Sequence, residues 1–313
     1  MRAFWLAFLL MLACGTQAQA QGVRLVVPFA AGGAADNVVR MAAPGIAVEL
    51  GQPVVVDNRG GAGGVIGSEI VAKAAPDGQT LLVSSLGVQV LGATLQPRLP
   101  YDPVRDFVPV AMFGRMPSLL VVRPGLAETL ADLPAAARRL GRALTYGSAG
   151  PGTTMHIAGE MLRLATGLEL THIPYRGAGP AVADLLAGNI DLLIADTPVL
   201  VPQVQAGRMT AVAVLGTART PLLPGVPTSA EQGQPGLVME NWYGVLAPSG
   251  LPPDRLQALE RAIVAAMAKP DLAERFVAAG LQGGTGAEGF RAQLASDIAQ
   301  WPPLLRRLNI TLE

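Results

Sequence analysis

A short apolar run, a loop of small residues and a helix-like segment follow one another in that order twice in this chain. The first copy spans residues 24–36 and the second spans residues 144–156. Each loop presents backbone N–H groups at the N-terminus of a helix, where the helix dipole adds partial positive charge. Each copy is therefore a candidate anion site. Two such sites predict two lobes that close on one small carboxylate.

Composition and charge limit the classes of function. The chain has 313 residues, which is enough for two α/β domains with a buried core. Hydrophobic residues make up 50% and charged residues 15%, a composition typical of a folded chain rather than a disordered one. Cations and anions balance at 23 each, with no basic stretch. This balance argues against a nucleic-acid partner.

The N-terminal residues have the pattern of a secretion signal. An apolar run over residues 3–13 is too short to span a bilayer, and residues 18–20 fit a signal-peptidase site. We predict that residues 1–20 are a signal peptide cleaved after Ala20. The alternative is a lipoprotein acylated at Cys14, although the residues before Cys14 match a lipobox poorly.

Cysteine and histidine usage argues against a metal or a cofactor. Cys14 is the only cysteine, so cleavage after Ala20 leaves no disulfide, thiol nucleophile or Cys-based metal site. His156 and His172 are the only histidines, and neither lies in a zinc-ligand pattern. Residues 61–67 resemble a dinucleotide fingerprint, but no acid follows at the distance needed to bind a ribose. We predict no metal and no cofactor.

Strand-like and helix-like segments alternate along most of the chain. Residues 24–85 have the order βαβαβ and residues 144–215 form a second α/β set, which predicts mainly parallel sheets with crossover helices. The proline-punctuated segment 101–123 contains two extended stretches and is predicted as the first crossing between lobes. Residues 241–247 are predicted as the return crossing, and residues 253–308 as a mostly helical tail.

The return crossing determines the predicted domain organisation. A helical tail after it means that one lobe is built from both ends of the chain, with the other lobe inserted. We predict that residues 21–118 and 242–313 form lobe 1, and that residues 119–241 form lobe 2. Two connections between the lobes make a hinge rather than a loose tether.

The loop of the first copy is a candidate carboxylate site. Backbone amides from Ala31 to Ala34 are placed to donate at a helix N-terminus. Asp36 is placed to cap the helix or to orient the loop. The alternative is a plain strand-to-helix turn that uses glycine for its backbone angles.

The loop of the second copy adds hydroxyl groups to the amides. Ser148, Thr153 and Thr154 supply them. Ser148 with His156 also permits an alternative, a secreted hydrolase with a serine nucleophile and a histidine base. Tyr146, however, replaces the first glycine of a G-x-S-x-G elbow, and no third catalytic residue is evident. We therefore predict that Ser148 is a ligand hydroxyl or a cap.

Two further candidates lie at strand ends. Asp196 follows an apolar strand at its C-terminal end, where open α/β sheets bind ligands. It is predicted to accept a ligand's ammonium or hydroxyl group, to cap the next helix, or both. Tyr175 ends another strand and is predicted to wall the pocket. Arg176 is either a carboxylate partner or an exposed structural residue.

Several motifs occur together in the order typical of one family. They lie at residues 27–36, 56–64, 99–107, 146–153, 172–177 and 205–208. On these motifs the chain resembles the solute receptors of tripartite tricarboxylate transporters, the Bug family, over nearly its whole mature length.

The resemblance implies a type II periplasmic binding fold. In that fold, two α/β lobes, each a mainly parallel sheet flanked by helices, are joined by two hinge crossings. It implies a receptor without enzymatic activity that captures a small organic carboxylate between the lobes and delivers it to integral-membrane permease subunits. It further implies a periplasmic protein, which we expect to be a monomer. A receptor that reports the ligand to a membrane signalling partner is the alternative.

Together, the motifs and the resemblance predict the ligand contacts. The predicted ligand-binding residues are Phe29, Ala31, Gly32, Gly33, Ala34, Asp36, Ser85, Gln89, Ser148, Gly150, Gly152, Thr153, Thr154, Tyr175 and Asp196. The chain departs from the family pattern at Ala35, where a threonine is usual, and at residues 88–89, where Thr-His is usual. Fewer polar donors on that wall predict a more apolar or larger ligand, such as an aromatic or alkyl monocarboxylate.

Overall fold

The computed structural model describes residues 22–96 and 98–311. The predicted signal peptide, its cleavage position after Ala20 and Cys14 lie outside the described residues. Within the described part, no helix is both long and apolar enough to cross a lipid bilayer. Eight of the ten strands in this part form one continuous hydrogen-bonded path, and the other two pair with one strand of that path. The strands divide into two sheets, each the centre of one lobe.

The principal elements follow one another along the chain with the strands and helices interleaved. They are β1 (Val23–Val27), α1 (Ala34–Leu50), β2 (Val54–Asn58), α2 (Val65–Ala72), β3 (Thr80–Ser85), β4 (Phe107–Val122), α3 (Leu133–Leu140), β5 (Leu144–Ser148), α4 (Thr154–Thr166), β6 (Leu170–Pro174), α5 (Ala178–Ala187), β7 (Leu192–Asp196), α6 (Thr197–Gln205), β8 (Thr210–Leu215), β9 (Glu240–Pro248), α7 (Pro253–Met267), α8 (Pro270–Ala278), β10 (Thr285–Gly286) and α9 (Ala287–Arg307).

The two sheets share strand β4. The first sheet has the order β2-β1-β3-β9-β4-β10, with β1, β2 and β3 parallel and β9 antiparallel to β3. The second has the order β6-β5-β7-β4-β8, with β5, β6 and β7 parallel and β4 antiparallel to β7 and β8. The parallel strands of each sheet end at the cleft between the lobes, which is where α/β sheets bind ligands.

Helix α1 shows how the sequence positions the first loop. Its buried residues recur at helical spacing between residues 34 and 46, and all except Asp36 are alanine, valine or isoleucine. The helix therefore lies close against the first sheet. Gly33 at its N-cap has extended backbone angles, and Gly51 ends the helix with φ of 62°, a left-handed conformation that glycine adopts readily. The loop before Gly33 is therefore fixed at the edge of the sheet by a well-packed helix.

The extended stretches predicted within residues 101–123 form one strand. β4 runs from Phe107 to Val122, with pairing shifts around Pro109 and Gly114. These irregularities bend the strand, so that a single 16-residue strand serves both sheets. Residues 87–92 form a wide helical turn that no periodicity in the sequence predicted.

Candidate functional site

A cavity lies between the lobes, where the two β-loop-α copies face each other. Its walls lie close together, and the volume open to a water-sized molecule is about 30 Å³. The lining residues are Phe29, Gly33, Ala34, Ala35, Ser85, Gly87, Ala149, Thr153, Thr154, Met155, Ala178, Ala195, Asp196, Val199, Asn241 and Tyr243. Most of them are apolar, and no arginine, lysine or histidine lines this cavity among the described residues.

The first turns of two helices, one from each lobe, point into this cavity. Ala34 and Ala35 open α1, and Thr154 and Met155 open α4. The first amides of a helix have no acceptor within it, and the dipole makes that end partly positive. The site therefore offers neutral N–H donors, rather than a formal cation, to an anionic group.

Asp36 supports the first loop from behind. Its carboxylate accepts from the Gly32 amide at 3.0 Å, from Arg40 Nε at 2.9 Å and from Asn58 Nδ2 at 3.0 Å. Burial raises the pKa of Asp36, but the hydrogen bonds from Arg40, Gly32 and Asn58 outweigh burial and hold that pKa below its usual value. Of the two roles considered for Asp36, its contacts favour orienting the loop.

Two histidines support the second loop. Ser148 Oγ lies 2.6 Å from His172 Nε2, and the Gly150 amide donates to Ser148 Oγ at 3.0 Å. The Gly152 amide donates to His156 Nδ1 at 3.3 Å. The imidazole rings stack with centroids 4.4 Å apart. Two buried side chains, Ser148 and His156, therefore accept hydrogen bonds from the loop amides of Gly150 and Gly152 and hold the loop in place.

The neutral state of these histidines follows from burial. Burial, with a smaller repulsion from His156, lowers the pKa of His172 to about 4, and burial also lowers the pKa of His156. Both rings are thus uncharged at neutral pH and can accept hydrogen bonds. The Ser148–His156 pair considered for a hydrolase is wrong, because Ser148 contacts His172 and is fully buried.

Replacing Ser148 with alanine should therefore weaken ligand binding. Neither the wild type nor the variant should hydrolyse esters. The change leaves His172 and the Gly150 amide without their hydroxyl partner, at a cost of about 1–3 kcal/mol. We expect a lower unfolding free energy by denaturant titration and a weaker ligand-induced rise in melting temperature. Ester turnover by the wild type that is lost in Ser148→Ala would contradict this role.

Asp196 is the buried acid of the cavity. It is only 5% exposed, and its carboxylate accepts from Ser118 Oγ at 2.9 Å, from Asn241 Nδ2 at 2.8 Å and from Tyr243 Oη at 2.5 Å. Burial raises the pKa of Asp196 despite these three donors. Its side chain forms no cap bond to the helix that follows. Asn241 and Tyr243 also line the cavity, and neither was predicted as a site residue.

Several predicted contacts use their side chains elsewhere. Tyr175 Oη donates to Asp184 at 2.6 Å, and the Gln89 amide contacts Ser84 Oγ and the Pro103 carbonyl. The predicted residues that line the cavity are Phe29, Gly33, Ala34, Ser85, Thr153, Thr154 and Asp196. The predicted residues outside the lining are Ala31, Gly32, Asp36, Gln89, Ser148, Gly150, Gly152 and Tyr175. A role for the second group in binding stays a prediction.

Five glycines lie where the backbones of the two lobes approach each other. We call Gly60, Gly63, Gly150, Gly177 and Gly179 the glycine seam. A Cβ at Gly179 would lie 2.9 Å from the Ala31 carbonyl oxygen, and one at Gly60 would lie 3.1 Å from the Arg176 carbonyl oxygen. The Ala30 amide donates to the same Arg176 oxygen at 3.1 Å. The lobes therefore meet backbone to backbone, and this conformation is closed.

Comparisons with known proteins agree with this architecture. The family model for the tripartite tricarboxylate transporter family receptor matches residues 38–310. Protein BugT of Bordetella pertussis is 37% identical over 300 residues, covering 94% of this chain and 91% of BugT. Since the model matches most of the chain and this relative is aligned over almost its full length, the predicted family is confirmed.

Solved structures show the same two-lobed fold. Rpa4515 of R. palustris, solved with adipate, superposes with a TM-score of 0.88 at 33% identity, covering 93% of this chain and 98% of that one. MatC from Rhodopseudomonas palustris, solved with bound malate, superposes with a TM-score of 0.84 at 31% identity, covering 91% and 98%. The predicted periplasmic binding fold is confirmed. The chain belongs to the receptor family of the tripartite tricarboxylate transporters. The members of this receptor family are periplasmic solute-binding proteins and not enzymes.

Proposed function

We propose that this protein captures a small organic carboxylate between its lobes and delivers it to the permease subunits of a tripartite transporter. The observation that carries the proposal is the closed cavity into which the N-termini of α1 and α4 project. Neutral amides and the two dipoles replace part of the hydration that a carboxylate loses on entry. The relatives solved with adipate and malate support the same ligand class.

We further propose that the lobes divide at residue 118 and residue 242. Pairing supports this division, because β4 pairs with β9 up to Pro117 and with β7 and β8 from Ser118 onward. Lobe 1 is then residues 21–118 with residues 242–313, and lobe 2 is residues 119–241. Ligand binding shifts the open–closed equilibrium about these two strands.

We also propose how the mature protein is formed and which residues make up its site. The signal peptide is cleaved after Ala20, and the receptor acts as a monomer in the periplasm. All fifteen predicted residues contribute to the site, with the seven lining residues contacting the ligand and the other eight supporting them from outside the cavity. The apolar lining supports a ligand with an alkyl or aromatic body.

A carboxylate panel tests the proposal. The purified protein is melted alone and with hexanoate, benzoate, adipate, malate or 6-aminohexanoate. At a ligand concentration of about 100 Kd, linkage adds roughly 2.7 kcal/mol of stability, so at least one member should raise the melting temperature by several degrees. Native mass spectrometry of the protein as purified should show a retained small acid. No shift with any member and no retained acid would contradict the proposal.

A further inference from the structure

The lining of the cavity contains an acidic side chain but no basic one. Among the described residues that line it, Asp196 carries the carboxyl group, Tyr243 is the other titratable side chain, and none carries a positive charge. A ligand with carboxylates at both ends therefore brings two negative charges towards a third. The N-termini of α1 and α4 face one of those charges, and no positively charged side chain faces the other.

None of the three side chains that donate hydrogen bonds to Asp196 carries a positive charge. Ser118 of β4 and Asn241 and Tyr243 of β9 are neutral donors. Burial raises the pKa of Tyr243 well above its ordinary value, and the nearby Asp196 charge raises it further, so Tyr243 stays protonated at neutral pH. Asp196 is also the N-cap residue of α6, whose dipole favours the ionised carboxylate.

The other helices that open at the cavity, α1, α4 and α5, add no charge to Asp196. The first turn of α5, residues 178–181, contains no titratable side chain. Asp36 in the first turn of α1 is paired with Arg40. His156 in the first turn of α4 accepts from the Gly152 amide and is neutral, because burial lowers its pKa. Each titratable group in those turns is thus engaged within its own loop, and Asp196 meets the far end of a ligand with its own charge.

We propose that capture of a dicarboxylate is coupled to uptake of one proton by Asp196. This inference rests on the proposed function and concerns the ionisation of that same site. When the lobes are apart, water solvates Asp196 and favours its ionised form. Closing them removes the water and adds an anion, and both changes favour the neutral acid. A proton from solvent forms an O–H bond on the Asp196 carboxyl group, which then donates to the ligand's far carboxylate.

The far end of the ligand decides whether the proton is taken up. A ligand that ends in an ammonium group pairs with ionised Asp196 and takes up none. Asp196 thereby admits either a dicarboxylate with a proton or an amino acid without one.

Three six-carbon acids separate these cases. Adipate, hexanoate and 6-aminohexanoate share one carboxylate and differ only at the far end, which is anionic, apolar or cationic. Isothermal titration calorimetry at pH 7.5 in phosphate and in Tris, whose ionisation enthalpies differ, measures the protons exchanged. We expect adipate to take up close to one proton per molecule bound and to lose up to tenfold in affinity between pH 7 and pH 8. We expect 6-aminohexanoate to take up none.

The variant Asp196→Asn checks the assignment. It keeps the size of the side chain and cannot titrate, so adipate should bind it with equal enthalpy in both buffers and with no pH dependence. Equal adipate enthalpies in the two buffers for the wild type would overturn the proposal, whether or not the variant folds. Binding of hexanoate or 6-aminohexanoate without any binding of adipate would also overturn it. Failure of all members of the carboxylate panel would instead contradict the proposed function.

Discussion

Replacing Gly179 with alanine is expected to lower ligand affinity by roughly tenfold to a hundredfold, while the ligand-free protein keeps its stability or gains up to about 1 kcal/mol. The new Cβ would lie 2.9 Å from the Ala31 carbonyl oxygen of the opposite lobe, and such overpacking costs about 1–3 kcal/mol. Gly179 lies in the first turn of α5 without a left-handed φ. Alanine therefore adds no backbone strain and stabilises the open form by up to about 1 kcal/mol. Calorimetry and the ligand-free melting temperature measure the two effects.

Gly225→Ala is the matched control. A Cβ at Gly225 meets nothing within 4 Å, and Gly225 has no left-handed φ. The Gly225→Ala variant should therefore have a ligand affinity and a melting temperature close to those of the wild type. Equal affinity of the Gly179→Ala and Gly225→Ala proteins would mean that the glycine seam does not limit closure.

Replacing Trp242 with alanine should cost the protein about 3–5 kcal/mol of unfolding free energy. Trp242 lies on β9, is 1% exposed and packs edge-on against Phe290 with centroids 4.9 Å apart. Its Nε1 donates to Asp297 Oδ2 at 2.8 Å, so the change also removes a donor from a buried carboxyl group. Denaturant unfolding followed by circular dichroism measures the loss.

Trp301→Ala provides the comparison for size. Trp301 is only partly buried on α9, so deleting the same indole there should cost clearly less. If both variants lost the same free energy, the loss would reflect the size of the indole and not the packing of the hinge strand.

The sequence predicted those parts of the site that depend on local order. A strand, a small-residue loop and a helix fix their own geometry, so Gly33 and Thr153 at the two helix N-caps and the lining residues beside them could be found from spacing alone. Asp196 could be found because it immediately follows an apolar strand. The alternation of elements in turn predicted the two-sheet architecture and both crossings.

The parts that escaped prediction depend on which strands are neighbours. Asn241 and Tyr243 reach Asp196 because β9 and β7 both lie beside β4, and nothing near residue 196 signals a partner 45 positions later. His172 reaches Ser148 because β6 pairs with β5 in parallel. Gln89 is turned towards Ser84 and Pro103 by the wide helical turn, which has no recognisable periodicity.

The glycine seam makes closure of the lobes independent of ligand specificity. The lobes contact each other through main-chain atoms, which are the same whatever side chains surround the cavity. Substitutions in the cavity lining can therefore change the ligand that is bound while the backbone contacts of the glycine seam are kept. A change of ligand specificity therefore need not change how the two lobes meet.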